Sequence, residues 1–380
     1  MRSRRELSIA FLTSARAWRG SGVSLTHIAR GLLERGHQAH MLAGESAVLE
    51  AFMQQGLSAS WVPTAHTTIK GALAVARELS ARHVDCLIVD RPRDLRLGVL
   101  ASLLHPTPLI NRYNLSRAQP PKDLLSRLAY RGVMLTIFVS KTSAERALAA
   151  GRYLGRRPYR IIREGVGPEF YHDESAAAAF RSRWNVGGRE FVVAVGSLTA
   201  DKRYPFLFDV MSRLGPRPPL LVICGEGPLK IELQAQAAAL GIESSFVGLL
   251  PPEMLRGAYS AARCLLHACR IETFGLSVLE AMACATPVVA VNAGAIPEVL
   301  GDSGKLIPPD NPQRFARELH GILTAPDQAR ALGLAAQTRA RELFSLDRMQ
   351  QEHVEAIEAV CSASRSDIPI QHVQPAPPGV

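Results

Sequence analysis

Apolar positions along the chain fall into two alternating rhythms. Short, mainly apolar runs at 7–12, 38–42, 86–89, 108–110, 135–139 and 159–162 have the length of buried strands. Between most of them apolar residues recur three and four apart, as in Leu25-Thr26-His27-Ile28-Ala29-Arg30-Gly31-Leu32-Leu33, a helix that Gly36 closes. Strands alternating with helices predict a parallel sheet covered on both faces. The alternation breaks at Glu164-Gly165-Val166-Gly167-Pro168-Glu169-Phe170 and in the alanine-rich, polar stretch up to Gly188, which reads as a linker with a short helix. It restarts at 191–195, 220–223, 245–247, 264–267 and 287–291, and helical spacing fills 312–323 and much of 325–360. The pattern predicts an α/β chain of two doubly wound domains with a cleft between them, at 1–165 and 166–345. A helix at 346–361 is expected to pack back on the first domain. The proline-bearing remainder, 362–380, reads as a disordered tail.

Composition narrows the class. A length of 380 residues suits two domains of ordinary size, and 21% charged residues is the level of a soluble globular protein. The six cysteines show no C-x-x-C and mostly lie in apolar runs, so they read as reduced core thiols of a cytoplasmic protein, with no metal site expected. Met1-Arg2-Ser3-Arg4-Arg5 has the charge of a signal-peptide start, but the apolar run after it is too short, and residues 7–12 read better as a core strand. No run reaches the ~18 apolar residues of a membrane span. The net charge of +10 is uneven: residues 1–165 hold 25 Lys/Arg against 11 Asp/Glu, or +14, and the remainder 19 against 23, or −4. A basic first half suggests an anionic acceptor or surface, the alternative being scattered solubilising arginines. No zinc-finger spacing or aromatic-basic RNP-type segment supports nucleic acid as a partner.

The chemistry concentrates in Arg270-Ile271-Glu272-Thr273-Phe274-Gly275-Leu276-Ser277-Val278-Leu279-Glu280-Ala281-Met282-Ala283-Cys284. Thr273 reads as the N-cap of a helix, leaving the amides of Phe274, Gly275 and Leu276 as unpaired, phosphate-attracting donors. Glu280 lies among apolar residues, where a carboxylate needs a polar partner. Glu272 and Glu280 would stand roughly 10–12 Å apart, too far to share a metal but suited to the two ends of an extended ligand.

Other turns follow strands, where an open α/β sheet places ligands. Arg19-Gly20-Ser21-Gly22 is a glycine-rich loop or a tight connector. Val195-Gly196-Ser197-Leu198-Thr199-Ala200-Asp201-Lys202-Arg203 puts a cation, Lys202, beside a strand's carboxyl end, as a phosphate contact or a plain surface lysine. Cys224-Gly225-Glu226-Gly227-Pro228 has Lys230 where a dinucleotide fingerprint needs its third glycine, and reads as a backbone turn beside a ligand.

Together these segments resemble the retaining glycosyltransferases of family 4, which have the GT-B architecture of two facing Rossmann-like domains. The resemblance runs to about residue 350. It is sharpest in E-T-F-G-L-S-V-L-E-A-M-A-C-A-T-P-V-V-A, which is similar to the family's E-x7-E signature, with V-G-S-L-T-A-D-K-R, C-G-E-G-P-L, F-V-G-L-L and L-L-E-R-G-H in the family's order. The resemblance implies transfer of a sugar from a nucleotide-diphosphate sugar to an envelope glycan or lipid-linked acceptor, with retention and no metal or other cofactor. It implies that Glu272 binds donor-sugar hydroxyls, that the amides near Phe274, Gly275 and Leu276 hold sugar and diphosphate, and that Glu280 accepts from the ribose. Lys202 would neutralise the leaving diphosphate, with Gly196 and Gly225 in the flanking turns, while Gly20 and Gly22 let the first domain's loop approach it.

Two departures stand out. Ser197 occupies a position where many members carry Arg, for which Arg203 would compensate. The family's histidine after the strand at 108–110 is absent, and Asn111-Arg112-Tyr113-Asn114 stands there. Arg112 and Asn114 are acceptor candidates, the alternative being a polar loop with no ligand. A peripheral contact of the basic domain with the inner face of the membrane is expected. The remaining alternatives are another GT-B enzyme, a nucleotide-sugar epimerase or a phosphorylase, and a non-catalytic anion-binding protein of the same fold.

Overall fold

A computed structural model describes residues 5–114, 124–151 and 154–362. The chain forms two compact units, residues 1–165 with 347–380, and 166–346. The expected tail lies outside the described residues apart from Ser362, which ends the last helix.

The first unit is built on seven parallel strands: β1 (Ser8–Thr13), β2 (Gln38–Ala43), β3 (Ser58–Trp61), β4 (Cys86–Val89), β5 (Leu109–Tyr113), β6 (Leu135–Phe138) and β7 (Tyr159–Ile161), in the order β3-β2-β1-β4-β5-β6-β7. The second has six parallel strands: β8 (Phe191–Val195), β9 (Leu220–Cys224), β10 (Ser244–Gly248), β11 (Leu265–His267), β12 (Val288–Val291) and β13 (Lys305–Ile307), in the order β10-β9-β8-β11-β12-β13. Each strand order reverses once, between β1 and β4 and between β8 and β11. That reversal opens a crevice at the strands' carboxyl ends, because successive helices there leave on opposite faces. The central strands are apolar on both sides: Phe191, Val192 and Val193 are fully buried, as are Val288 to Val291.

Four details differ from the sequence reading. The stretch up to Gly188 is part of the second unit's body, not a linker. Its helix Glu174–Arg183 is capped by Asp173, buries Phe180, and donates from Arg181 to the Ala261 carbonyl at 2.7 Å, at the end of helix Pro252–Ala261. Residues 111–113 are not a polar loop, because β5 pairs with β6 through Tyr113. The glycines at 20 and 22 lie in the first turn of helix Gly20–Glu34, not in a loop. Edge strands β3 and β13 are additional to the expected set.

The last helix, Leu346–Ser362, belongs to the first unit from Asp347 onward. It is tied there by Gln350 donating to the His27 carbonyl at 3.0 Å and by the Arg35–Asp347 pair at 2.9 Å.

Candidate active site

In the second unit, the turns after β8 and β11 flank the reversal and carry the oppositely charged Lys202 and Glu272. After β8 the chain runs through Gly196 to a short 3-10 turn, Ala200–Lys202, and Arg203 then takes a left-handed conformation with φ of 56°. The Lys202 side chain lies against Gly196, where a Cβ would be 3.5 Å from its Cδ and Cε, and its Nζ donates to Glu272 Oε2 at 2.6 Å. Glu272 is held from behind, since the Ala295 amide donates to its carbonyl at 3.0 Å. Both side chains keep an open edge, at 20% and 16% exposure for Lys202 and Glu272.

The turn after β9 presses against the one after β8. Gly225 has φ of 148°, and a Cβ there would sit 1.9 Å from the Gly196 carbonyl oxygen. Only glycine allows this approach.

The helix of the signature spans Leu276–Ala283, and Gly275, with φ of 103°, is its N-cap. Thr273 is therefore not the cap. The Val278 and Leu279 amides donate to the Gly275 carbonyl, both at 3.0 Å, so the first-turn amides without an intrahelical acceptor are those of Leu276 and Ser277. Phe274 is a core side chain, edge-on to Phe344 at 5.7 Å. One turn into the helix, Glu280 receives the Tyr259 hydroxyl on Oε2 at 2.8 Å and remains half-buried.

Electrostatics separates the two acids. Burial pushes the Glu272 carboxyl up, but the Lys202 ammonium overrides it and holds Glu272 below the usual range. Burial likewise opposes the charge on Lys202, and Glu272 outweighs it, so the lysine stays protonated. Among the described residues no cation offsets the burial of Glu280. Burial lifts it to about 7 against the Tyr259 hydrogen bond, and Glu169 adds to the rise. Burial also pushes His267, at the end of β11, down to about 4, leaving a neutral imidazole beside Glu272.

Gly196, Lys202, Gly225, Glu272, Gly275, Leu276 and Glu280 thus belong to the turns and helix after β8, β9 and β11. Arg203 follows Lys202 but is engaged elsewhere. It pairs with Asp310, which also takes Arg270 at 2.8 Å, and it lies over the Phe206 ring at 4.8 Å. The Ser197 hydroxyl bonds that of Thr199 at 3.0 Å.

Gly20, Gly22, Arg112 and Asn114 are in the first unit. Gly22 has a packing role, since a Cβ would come within 2.9 Å of the Trp18 ring. Arg112, proposed from sequence to contact an acceptor, is instead a buried ionic hub. It is 1% exposed, donates to Asp90 at 2.8 Å and also meets Glu164 and Ser24. Its guanidinium has no open edge for a ligand. Asn114 follows β5 and is half-buried. Tyr259, His267 and Cys269 were not singled out from sequence. The only signal for the last two was their H-x-C-x-x-E spacing to Glu272, which runs from the last residue of β11 into the turn after it.

Residues 178–339 match the family described as glycosyl transferases group 1. That segment is similar to group 1 glycosyl transferase domains. Sulfoquinovosyl transferase SQD2 of Arabidopsis thaliana is 29% identical to the chain over 273 residues, covering 70% of this chain and 50% of that protein. D-inositol 3-phosphate glycosyltransferase of Segniliparus rotundus is 31% identical over 262 residues, covering 64% and 58%. The chain therefore spans little more than half the length of these relatives. Among solved structures, Anabaena HepE in complex with UDP and glucose superposes with a TM-score of 0.81 at 22% identity, over 93% of this chain and 100% of that one. WaaG, a glycosyltransferase involved in lipopolysaccharide biosynthesis, superposes at 0.69 with 16% identity, over 94% and 100%. At such identities the likeness establishes the fold, GT-B. The matched segment includes Lys202, Glu272 and Glu280.

Proposed function

We propose that the protein transfers a sugar from a nucleoside-diphosphate sugar to a glycan or lipid-linked acceptor, with retention and without a metal. The observation that carries this reading is the Lys202–Glu272 pair at the β8/β11 reversal, beside the start of the Leu276–Ala283 helix. Lys202 supplies a fixed positive charge where a leaving diphosphate gains negative charge, and the Leu276 and Ser277 amides add oriented dipoles. Such preorganised groups act without reorganising during the reaction. Glu272, once its lysine turns to phosphate, is an ionised acceptor for sugar hydroxyls. Glu280 and the Tyr259 hydroxyl form a polar pair suited to the ribose. With no protein nucleophile in this set, the acceptor oxygen attacks from the face the diphosphate leaves, and a phosphate oxygen takes its proton. The six free thiols, five of them buried, support a reducing compartment, the cytoplasm.

The test is incubation with UDP- and GDP-sugars and candidate glycan acceptors, with and without EDTA, followed by NMR of the product's anomeric carbon. Nucleoside diphosphate release that requires acceptor, a retained anomer and indifference to EDTA are expected. An inverted product overturns retention, and dependence on added metal overturns the metal-free reading. Interconversion of sugars without release would mean an epimerase, and dependence on inorganic phosphate a phosphorylase.

A further inference from the structure

Glu272 has two neighbours that sugar transfer does not use. His267 Nε2 lies 3.5 Å from Glu272 Oε2, and the Cys269 sulfur completes a cluster whose ligand atoms all lie within 4.8 Å of one another. His267 and Cys269 are 4% and 2% exposed, and His267 Nε2 is buried with no hydrogen-bond partner. Buried polar atoms are rarely left so, and this one points at a carboxylate oxygen and a thiol.

Imidazole, thiolate and carboxylate are together a ligand set for zinc, not for magnesium or calcium. Bonds of about 2.0 Å to nitrogen and oxygen and 2.3 Å to sulfur put tetrahedral ligand atoms roughly 3.3–3.7 Å apart. The His267–Glu272 separation already falls in that range, and the widest separation in the cluster closes with a shift of about 1 Å. The obstacle is Lys202, whose ammonium sits 2.6 Å from the same Glu272 oxygen. Two cations cannot share that carboxylate at such a distance. Its partly exposed side chain has solvent to turn into.

We propose that His267, Cys269 and Glu272 form a Zn2+ site whose filling displaces Lys202 from Glu272. On binding, the Cys269 thiol gives its proton to solvent as its sulfur joins the metal, water fills the fourth position, and nothing is oxidised or reduced. The consequence for transfer rests on the donor role proposed above for Glu272 and Lys202: zinc takes both out of position and stops the reaction. Zinc is here an inhibitor, distinct from a catalytic metal.

The test titrates metal-free protein with Co2+, read by the near-ultraviolet thiolate-to-cobalt band, and then displaces it with Zn2+. One equivalent of thiolate-bound Co2+, displaced by Zn2+ and not by Mg2+, is expected. Cys269→Ser abolishes the band, and His267→Gln weakens Zn2+ binding by at least about tenfold. Lys202→Ala, by removing the competing charge, tightens it by at least about tenfold, a gain that misfolding cannot imitate. No band in the native protein, a band kept by Cys269→Ser, or unchanged affinity in Lys202→Ala overturns the proposal. UDP-glucose and GDP-mannose binding measured with and without Zn2+ separates the two readings. Loss of binding with Zn2+ supports the inhibitory site, and undiminished binding overturns it. Failure of both sugars to bind at all, with the cobalt band present, tells against the donor reading and leaves the metal site standing.

Discussion

Glu280 is the residue of the site most sensitive to pH. With its carboxyl raised to about 7, it is mostly protonated at pH 6 and mostly ionised at pH 8. The ionised form offers more acceptor capacity to a ribose. Donor affinity is therefore expected to fall as pH drops below 7, by up to about tenfold per unit, and Glu280→Gln should flatten that dependence. The free protein should behave oppositely. A folded-state value above the unfolded one means that the native state holds the extra proton, so this group's stability contribution is full below about pH 4 and is lost as pH rises through 7. Melting curves from pH 5 to 8, with and without nucleotide sugar, check both signs. A nucleotide-induced shift that shrinks with rising pH would contradict the assignment of Glu280.

At the scale of elements, the site depends on turns pressed together. Gly225→Ala would drive a methyl group into the Gly196 carbonyl and separate the turns after β8 and β9. A loss of about 2–3 kcal/mol is expected in denaturant unfolding, with weakened nucleotide binding because Lys202 hangs on the same turn. In the first unit, Arg112→Ala would leave Asp90 and Glu164 buried without their cation, costing about 3–5 kcal/mol. An Arg112→Ala protein of native stability would show that the hub is not structural.

The central strands and the two signature acids were legible because buried strands are apolar runs and a lone acid in an apolar helix is conspicuous. Edge strand β3 was not: Ser58 and Ser60 hydrogen-bond His40 from a half-exposed edge, so it carries no apolar run. Arg112 was misread because a charged residue in a polar stretch looks like a loop, while its partners Asp90 and Glu164 lie 22 and 52 positions away. His267 and Cys269 escaped notice because their link to Glu272 is a turn's geometry and matches no C-x-x-C spacing. Helix Glu174–Arg183 looked like linker because it buries only Ala177 and Phe180, too few apolar positions to show a helical rhythm.

At the scale of the whole molecule, charge and surface chemistry divide along the chain. Residues 1–165 carry the net +14, and on helices Pro92–Leu104 and Leu124–Ala129 of the same unit Leu100, Leu103, Leu104, Leu124 and Leu128 are exposed beside Arg127. Among the described residues no helix is long and apolar enough to cross a membrane. Exposed leucines beside basic residues fit an anionic lipid surface, where apolar insertion and charge act together. Sedimentation with phosphatidylglycerol vesicles should capture the protein at low salt and release much of it at about 0.5 M, with Leu103→Asp weakening capture. Equal binding to phosphatidylcholine, or none to either, would remove the membrane from the account.

The central claim is that Lys202, Glu272 and the turn between them and Glu280 hold a nucleoside-diphosphate sugar. Its most direct test is a thermal-shift panel of nucleoside diphosphates and their sugars on the native protein and on Lys202→Ala. At a hundredfold excess over its Kd, the true donor should raise the native melting temperature by roughly 5–10 °C and leave Lys202→Ala almost unmoved. A panel in which nothing shifts the native protein, or in which Lys202→Ala shifts as far, would contradict it.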